Sequence, residues 1–440
     1  MLEHYKKLAY VDQVTGGNTR LIFEEKIQEI QENHSDKYWL VHLNLVNFKL
    51  INEVMGWEKG NELIRKIYEQ NEKLLSSKDM QCNMGSASLA YLLHGIEDIK
   101  HLHRKCLRLK ENSLKTIRAY GGQLDLQIIF SACRVEAGSG NLNSILDKAL
   151  IAIENPAAVY WEDALCYVYN EECTQKILEE KLLEGRMEEA LAAGEFEMYL
   201  QPKISPKDNR LYGAEALVRW NSPNGQIYPD RFIPLFEKNG KIYQIDLFMF
   251  RCACELLAKW KREGKRLIII SVNVSKYGVG KPDFLKEYDR ILKETGAPGE
   301  YLELEFTESI AYDSCAQLEE LISWVHHRNM YCSMDDFGSA YSNFHALLAL
   351  DFDTIKIDRC FFYSFPEESK NYMVVKNIVN VFHAIGMTVV CEGIENEKQI
   401  KALAGMNCDL IQGYFFSKPI PVGNFETLYR HDLAMSGTNK

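Results

Sequence analysis

After Gly194 the sequence settles into one repeating unit: a short apolar stretch, a polar residue at its end, a loop, then an amphipathic stretch of helical period. Regular alternation of strand and helix predicts a mostly parallel sheet covered by helices. The predicted strands end at Gln201, Glu215, Asn273, Glu305, Asp335, Lys356, Glu392 and Gln412, and eight such units fit a TIM-like (β/α)8 barrel. Helices are read at 232–261, 284–295, 316–328, 372–385 and 397–406. In such a barrel the carboxyl ends of the strands converge on one face, so these polar residues are expected to meet there.

The first half has a different rhythm. A strand at 39–45 leads into helical periodicity over 48–75, two strands flank a turn near Gly85, and a helix is read at 99–114. A strand at 124–135, a helix at 142–154 and a strand at 164–169 complete an α+β pattern with a mostly antiparallel sheet. Residues 171–193 are rich in Glu, Lys, Leu and Ala and poor in breakers, which predicts a joining helix with a solvated charged face from Glu171 to Glu189. The expected division is therefore 1–170, a linker helix 171–193, and a barrel 194–435. At 440 residues the chain exceeds what one core organises, and a hydrophobic share of 46% supplies cores for two units.

Charge narrows the partners. A net charge of -11 opposes nonspecific contact with DNA, which needs clustered Lys and Arg. The start of the chain has no apolar run of signal-peptide length, and no stretch is long enough to span a bilayer, so a cytoplasmic location is expected. The twelve cysteines are scattered without C-x-x-C pairs, and Cys252 and Cys254 point apart on a helix, so buried reduced thiols are expected. Histidines show no metal-ligand spacing; His326 and His327 are read as solvated imidazoles on a surface helix. Tyr212, Trp220, Tyr228, Tyr341, Phe415 and Phe416 are read as core packing, with stacking on an aromatic ligand a secondary role.

The expected convergence collects Glu215, Glu305, Asp335, Asp336, Glu392 and Glu395, with Lys356 and Arg219 as the nearby cations. Two like charges ~4 Å apart repel by roughly 4 kcal/mol at an effective dielectric near 20. Several acids must therefore be protonated, or cations must sit among them. Oxygen ligands with the amide of Asn273 suit magnesium or manganese better than zinc. Neighbours on a strand point to opposite faces, so Asp335 and Asp336 share a site only where the strand is turning, and Gly338 permits such a turn. One acid shared by two ions is what two-metal hydrolysis of a phosphoester requires.

The strings GAEALVRW at 213–220, SVNVS at 271–275, ELEFTES at 303–309, MDDFGSAYS at 334–342, IKID at 355–358, VVCEGIEN at 389–396 and IQGYFFSKPI at 411–420 carry a family signature. In order and spacing they resemble the EAL-domain cyclic di-GMP phosphodiesterases over about residues 178–430. The resemblance implies that Glu215, Asn273, Glu305 and Asp335 bind one metal, and Asp335, Asp336 and Glu392 a second. Lys356 would hold a catalytic water, with Glu392 also counted among the catalytic groups. Arg219 would contact substrate phosphate, while Gln201, Leu217 and Gln412 line the site. Glu308 would anchor the loop after the fifth strand, and Glu395 would support the metal and water network. The implied product is linear pGpG; two Mg2+ or Mn2+ ions per site, inhibition by Ca2+, and a homodimer are implied likewise. Two positions depart from the family: Ala340 stands for its usual glycine and Asn343 for its serine.

VDQVTGGNTR at 11–20, LNLVNFKLINEVMG at 43–56 and MGSASLAYLL at 84–93 resemble the GGDEF diguanylate cyclase domain. Its signature here reads GSASL, with Asn44 where the family has a metal-binding aspartate and Ser88 where it has an acid. Ser76 replaces the arginine of the inhibitory R-x-x-D pattern, leaving only Asp79. Neutral side chains cannot hold magnesium against a triphosphate, so the expectation is a degenerate domain, structural or regulatory, with GTP a possible regulator. Two rival readings stand beside the hydrolase. One is a receptor that keeps the pocket without turnover, favoured by Ala340. The other is a Schiff-base lyase at Lys356, which needs a depressed lysine pKa that neighbouring carboxylates oppose.

Overall fold

The computed structural model describes residues 10–32, 37–121, 126–136, 138–281, 283–308, 310, 315–338, 350–362 and 369–428. The chain divides into two compact units, Met1–Leu182 and Leu183–Lys440, the division falling inside the helix Glu171–Ala192.

The first unit is built on a sheet of β1 (Tyr38–Leu45), β2 (Met80–Gly85), β3 (Ser88–His94), β4 (Ile128–Val135), β5 (Val159–Trp161) and β6 (Cys166–Val168), in the order β2-β3-β1-β4-β6-β5. Its pairings are antiparallel except β4 with β6. Alternate residues of β1 serve two cores: Val41, Leu43 and Leu45 face one, Tyr38 and Leu40 the other. A strand covered on both faces needs apolar residues throughout, which is why YWLVHLNL barely alternates. The helix predicted over 48–75 is two helices, Phe48–Met55 and Trp57–Glu72, broken where Gly56 takes a φ of 84°. The strand predicted at 164–169 is one arm of the short β5–β6 hairpin.

In the second unit β7 (Phe196–Ile204), β8 (Leu211–Ser222), β10 (Ile269–Val274), β11 (Leu302–Thr307), β12 (Tyr331–Phe337), β13 (Thr354–Ile357), β14 (Thr388–Cys391) and β15 (Leu410–Ile411) close into a barrel. A short β9 (Gly225–Ile227) extends β8 as a hairpin outside it. From β8 round to β15 the barrel strands run parallel, but β7 lies antiparallel to both β8 and β15. Thus Gln201 does not sit at a carboxyl end; it enters the interior from mid-strand, paired across from Glu215, and β8 likewise does not end at Glu215 but runs on to Ser222.

The predicted helix 232–261 is two helices, Pro229–Asn239 and Ile242–Arg262. Gly240 caps the first with a φ of 75°, and a Cβ there would stand 2.1 Å from the Tyr277 ring. Side-chain caps fix other starts: Ser369 accepts from the Tyr372 N–H, and Asn396 with Gln399 forms a reciprocal capping box. Trp220 is fully buried against Phe196 and Phe232, and Phe416 packs against the core. Tyr212, Tyr228 and Phe415 are exposed, contrary to the expectation of core packing, and Tyr341 lies outside the described residues. Among the described residues no helix is long and apolar enough to cross a membrane.

Candidate active site

Period-two alternation aims Glu303 and Glu305 of β11 at the barrel interior, one layer apart. The register sets Asn273 of β10 beside Glu305, and Glu215 of β8 across from Gln201. Into this acid-lined interior Lys356 of β13 extends a fully buried ammonium group. Its Nζ lies 2.7 Å from Glu392, 2.8 Å from Glu305, 3.1 Å from Asp335 and 3.4 Å from Glu215. A second buried lysine, Lys203 of β7, lies 2.8 Å from Glu305 and 3.5 Å from Glu303. Sequence reasoning did not find Lys203 or Glu303; a lysine ending an apolar strand reads as solvated, and only the reversal of β7 carries it under the acids.

Hydrogen bonds fix the carboxylates. Glu215 accepts from the Asn273 amide at 2.9 Å and from Gln412 at 2.6 Å, and Gln412 also donates to Gln201 at 3.0 Å. Burial alone would raise the Glu305 carboxyl, but the ammonium groups of Lys203 and Lys356 outweigh it and bring it down to about 2. Glu392 is pushed up to about 8 by burial, reinforced by Asp335 and Glu215 and only partly offset by Lys356. Burial also raises Glu215, Asp335 and Asp336. Burial pulls Lys356 down, yet its carboxylate neighbours hold it well above the ordinary lysine range. That is the opposite of what a Schiff-base lysine needs.

Met334 to Phe337 form an irregularity in the pairing of β12 with β13, and Asp336 there takes a φ of 58°. The turn thus begins on Asp336 itself, ahead of Gly338, and lets the carboxylates of adjacent aspartates approach each other and Glu392. Two groups of oxygens result, each within 4.8 Å: Glu215 with Glu305 and Asp335, and Asp335 with Asp336 and Glu392. Asp335 belongs to both. Glu308, past the end of β11, accepts from the Gly338 N–H at 3.3 Å. Ala340 and Asn343 lie outside the described residues.

A cavity of about 1060 Å³ opens beside Glu215 and Asn273, with Leu217, Asp246, Lys276, Tyr277 and Lys281 in its wall. It stands at the upper end of small-ligand clefts, roughly 300–1,000 Å³. Arg219, two residues beyond Leu217 on the same face of β8, lies 5.8 Å over the Tyr199 ring. Glu395 is not brought into the cluster: it is exposed, and its backbone N–H is held by Gln399. In the first unit Asn44 and Ser88 are direct cross-strand partners. Asp79 is turned inward, accepting from the Ser76 and His94 N–H groups and 3.3 Å from Lys105.

Residues 184–419 match the EAL domain family, and 9–156 match the family described as diguanylate cyclase, GGDEF domain. Cyclic di-GMP phosphodiesterase NbdA of Pseudomonas aeruginosa is 27% identical over 98% of this chain and 55% of its own length. Cyclic di-GMP phosphodiesterase PdeR of Escherichia coli is 25% identical, over 98% of this chain and 65% of its own length. The chain therefore spans only part of these curated relatives. Among solved structures, the PaMucR phosphodiesterase in complex with c-di-GMP shares 30% identity over 56% of this chain and 99% of that one, with a TM-score of 0.52. The S helix-GGDEF-EAL segment of Vibrio cholerae LapD, bound to c-di-GMP, covers 94% of this chain and 98% of its own at 14% identity and a TM-score of 0.51, a likeness of fold.

Proposed function

Since this chain belongs to the EAL domain family and carries a GGDEF domain ahead of it, we propose that its barrel hydrolyses cyclic di-GMP to linear pGpG with two divalent cations. The observation that carries this reading is the pair of acid groups sharing Asp335. Fit to such ions follows from the donors. Glu215, Glu303, Glu305, Asp335, Asp336 and Glu392 bring six carboxylates against the two ammonium groups of Lys203 and Lys356. When all are ionised, the excess is the charge of two divalent cations.

Glu215, Asn273, Glu305 and Asp335 would hold one ion, and Asp335, Asp336 and Glu392 the other; oxygen donors suit Mg2+ or Mn2+. Bound there, such ions neutralise phosphate charge and lower the pKa of a water. The chain's own groups do the rest. Lys203 keeps Glu305 ionised from beneath, so that this carboxylate offers both oxygens as acceptors. Lys356 steadies the water and the developing charge at phosphorus. Gln412 and Gln201 fix the Glu215 rotamer, Leu217 packs the cavity wall, and Arg219 meets a substrate phosphate at the mouth. Glu308 ties the turn after β12 in place. Glu395, exposed as it stands, joins the network only if its segment moves.

Ca2+, with its larger and looser shell, is expected to inhibit. Neutral Asn44 and Ser88 support a regulatory or structural first unit with no cyclase activity, answering to GTP or another ligand. The working protein is taken as a cytoplasmic homodimer. The test is incubation with cyclic di-GMP and Mg2+ or Mn2+, followed by chromatography. Formation of pGpG supports the hydrolase, and tight binding without product would replace it with the receptor reading.

A further inference from the structure

His326 and His327 do not share the solvated fate the sequence suggests. His327 stays exposed at the helix end, its Nδ1 2.7 Å from the Ser323 carbonyl. His326, on the helix Cys315–His326, instead sets Nε2 3.0 Å from Asp353 Oδ2 and 3.6 Å from Cys332 Sγ. Cys332 Sγ lies 3.4 Å from the same Asp353 oxygen and 3.6 Å from the Asp351 carbonyl. Cys332 is the second residue of β12 and Asp353 precedes β13, so this group sits at the floor of the barrel. Cys332 is three residues before Asp335, about 10 Å along the strand.

Two strand–helix repeats further round the same barrel there is an internal control. There His383 Nε2 lies 2.7 Å from Asp409 Oδ2, and Asp409 accepts the Val389 N–H at 2.9 Å. Asp353 likewise accepts the Cys332 N–H at 2.8 Å. A helix-end histidine and an aspartate ahead of the next strand thus form a repeated clamp that needs no thiol. Where the second clamp has Val389, the first has Cys332.

We propose that Cys332, His326 and Asp353 form a second cation site, distinct from the acid-lined mouth and built for a thiophilic divalent ion of the zinc class. In a tetrahedral centre with metal–sulfur bonds near 2.3 Å and metal–nitrogen or –oxygen bonds near 2.0–2.1 Å, ligand atoms stand about 3.3–3.6 Å apart. The separations of 3.0, 3.4 and 3.6 Å already approach that figure. The Asp351 carbonyl, or a water at the part-exposed edge, completes four ligands. Thiolate and imidazole select zinc over the magnesium or manganese suited to the mouth. Binding moves the thiol proton to solvent and forms the sulfur–metal bond; thiolate, carboxylate and dication together carry no net charge.

The test is titration of the metal-stripped full chain with cobalt(II), read as thiolate-to-cobalt charge-transfer absorption. We expect a band saturating near one equivalent, unaffected by excess Mg2+ and displaced by Zn2+. Cys332→Ser should abolish it, and His326→Gln should weaken cobalt binding about tenfold or more. His383→Gln and Cys360→Ser, the latter removing an exposed thiol near the mouth, should leave it unchanged. Absence of the band, its survival in Cys332→Ser, or its loss in Cys360→Ser overturns the proposal. Should Cys332→Ser fail to fold, the part-exposed His326→Gln decides: unchanged cobalt affinity refutes the site.

Discussion

Lys356 and Lys203 divide one electrostatic task. Lys356 gathers the acids of the mouth, while Lys203 reaches from Glu305 to Glu303 a layer below. Breaking a buried pair by removing one partner costs about 3–5 kcal/mol, because the remaining charge is left uncompensated. Lys203→Met should lower the unfolding free energy in urea by that amount, and adding Glu303→Gln should recover part of it. No recovery would show that Glu303 is not the stranded partner. Glu215→Ala behaves differently: it removes a group proposed as a metal ligand and relieves repulsion, so the proposed hydrolysis should fall about 100-fold or more while the melting temperature holds. Turnover close to that of the unaltered chain would contradict its place among the ligands. Most acids of the mouth were legible in the sequence because they end or nearly end an apolar strand; Glu215, mid-strand in β8, was legible from its place in the GAEALVRW string. Glu303 was legible in principle, two residues before Glu305 on the same face. Lys203 was not, since its burial depends on the direction of β7.

Breaks in regular structure shape the site as much as its charges do. Asp336 occupies the left-handed region within the irregularity of β12, a conformation that asparagine accepts and β-branched residues resist. Asp336→Asn should keep the melting temperature near that of the parent while reducing hydrolysis. Asp336→Val should also destabilise, by roughly 1–3 kcal/mol; equal stability of the two would argue against the turned strand. Gly240→Ala should cost about 1 kcal/mol or more for its positive φ and displace Tyr277 from the cavity wall. Its steady-state signature is a raised KM with unchanged kcat. Helix and strand order could be read from periodicity, but the break at Gly56 could not, and the Asn239-Gly240 turn signal was passed over within a continuous apolar stripe. A lone glycine leaves the apolar stripe intact, and only its backbone angles reveal the interruption. The direction of β7 is equally silent, because a reversed strand in the barrel wall faces the same interior and the same helix layer as its parallel neighbours.

At the scale of the whole molecule, two cores with opposite responses to acid share one chain. Burial holds His42 of the first unit down at about 4. Its neutral form is favoured on folding, so its contribution is present above the unfolded value near 6.5 and is lost as pH falls through about 4. Asp246 of the second unit is raised by burial to about 7, against hydrogen bonds from Ser275. That contribution is complete below the unfolded value of 3.8 and is lost as pH rises through about 7. Each is worth on the order of 3 kcal/mol. Between pH 4 and 6.5, His42→Leu should flatten the acid loss of the first unit, and Asp246→Asn should flatten the opposing slope of the second. Thermal unfolding across that window checks both, and unchanged slopes would deny these groups their part. Because β7 descends where the other barrel strands climb, the polypeptide arrives beside the open rim, at a corner where Glu195 is pinned by Arg186 and by the Trp220 indole. A barrel tethered at its base would shield the rim from tension in the incoming chain. Here such tension reaches the neighbourhood of Arg219 first, and the fluorescence of Trp220 is the gauge that would register it.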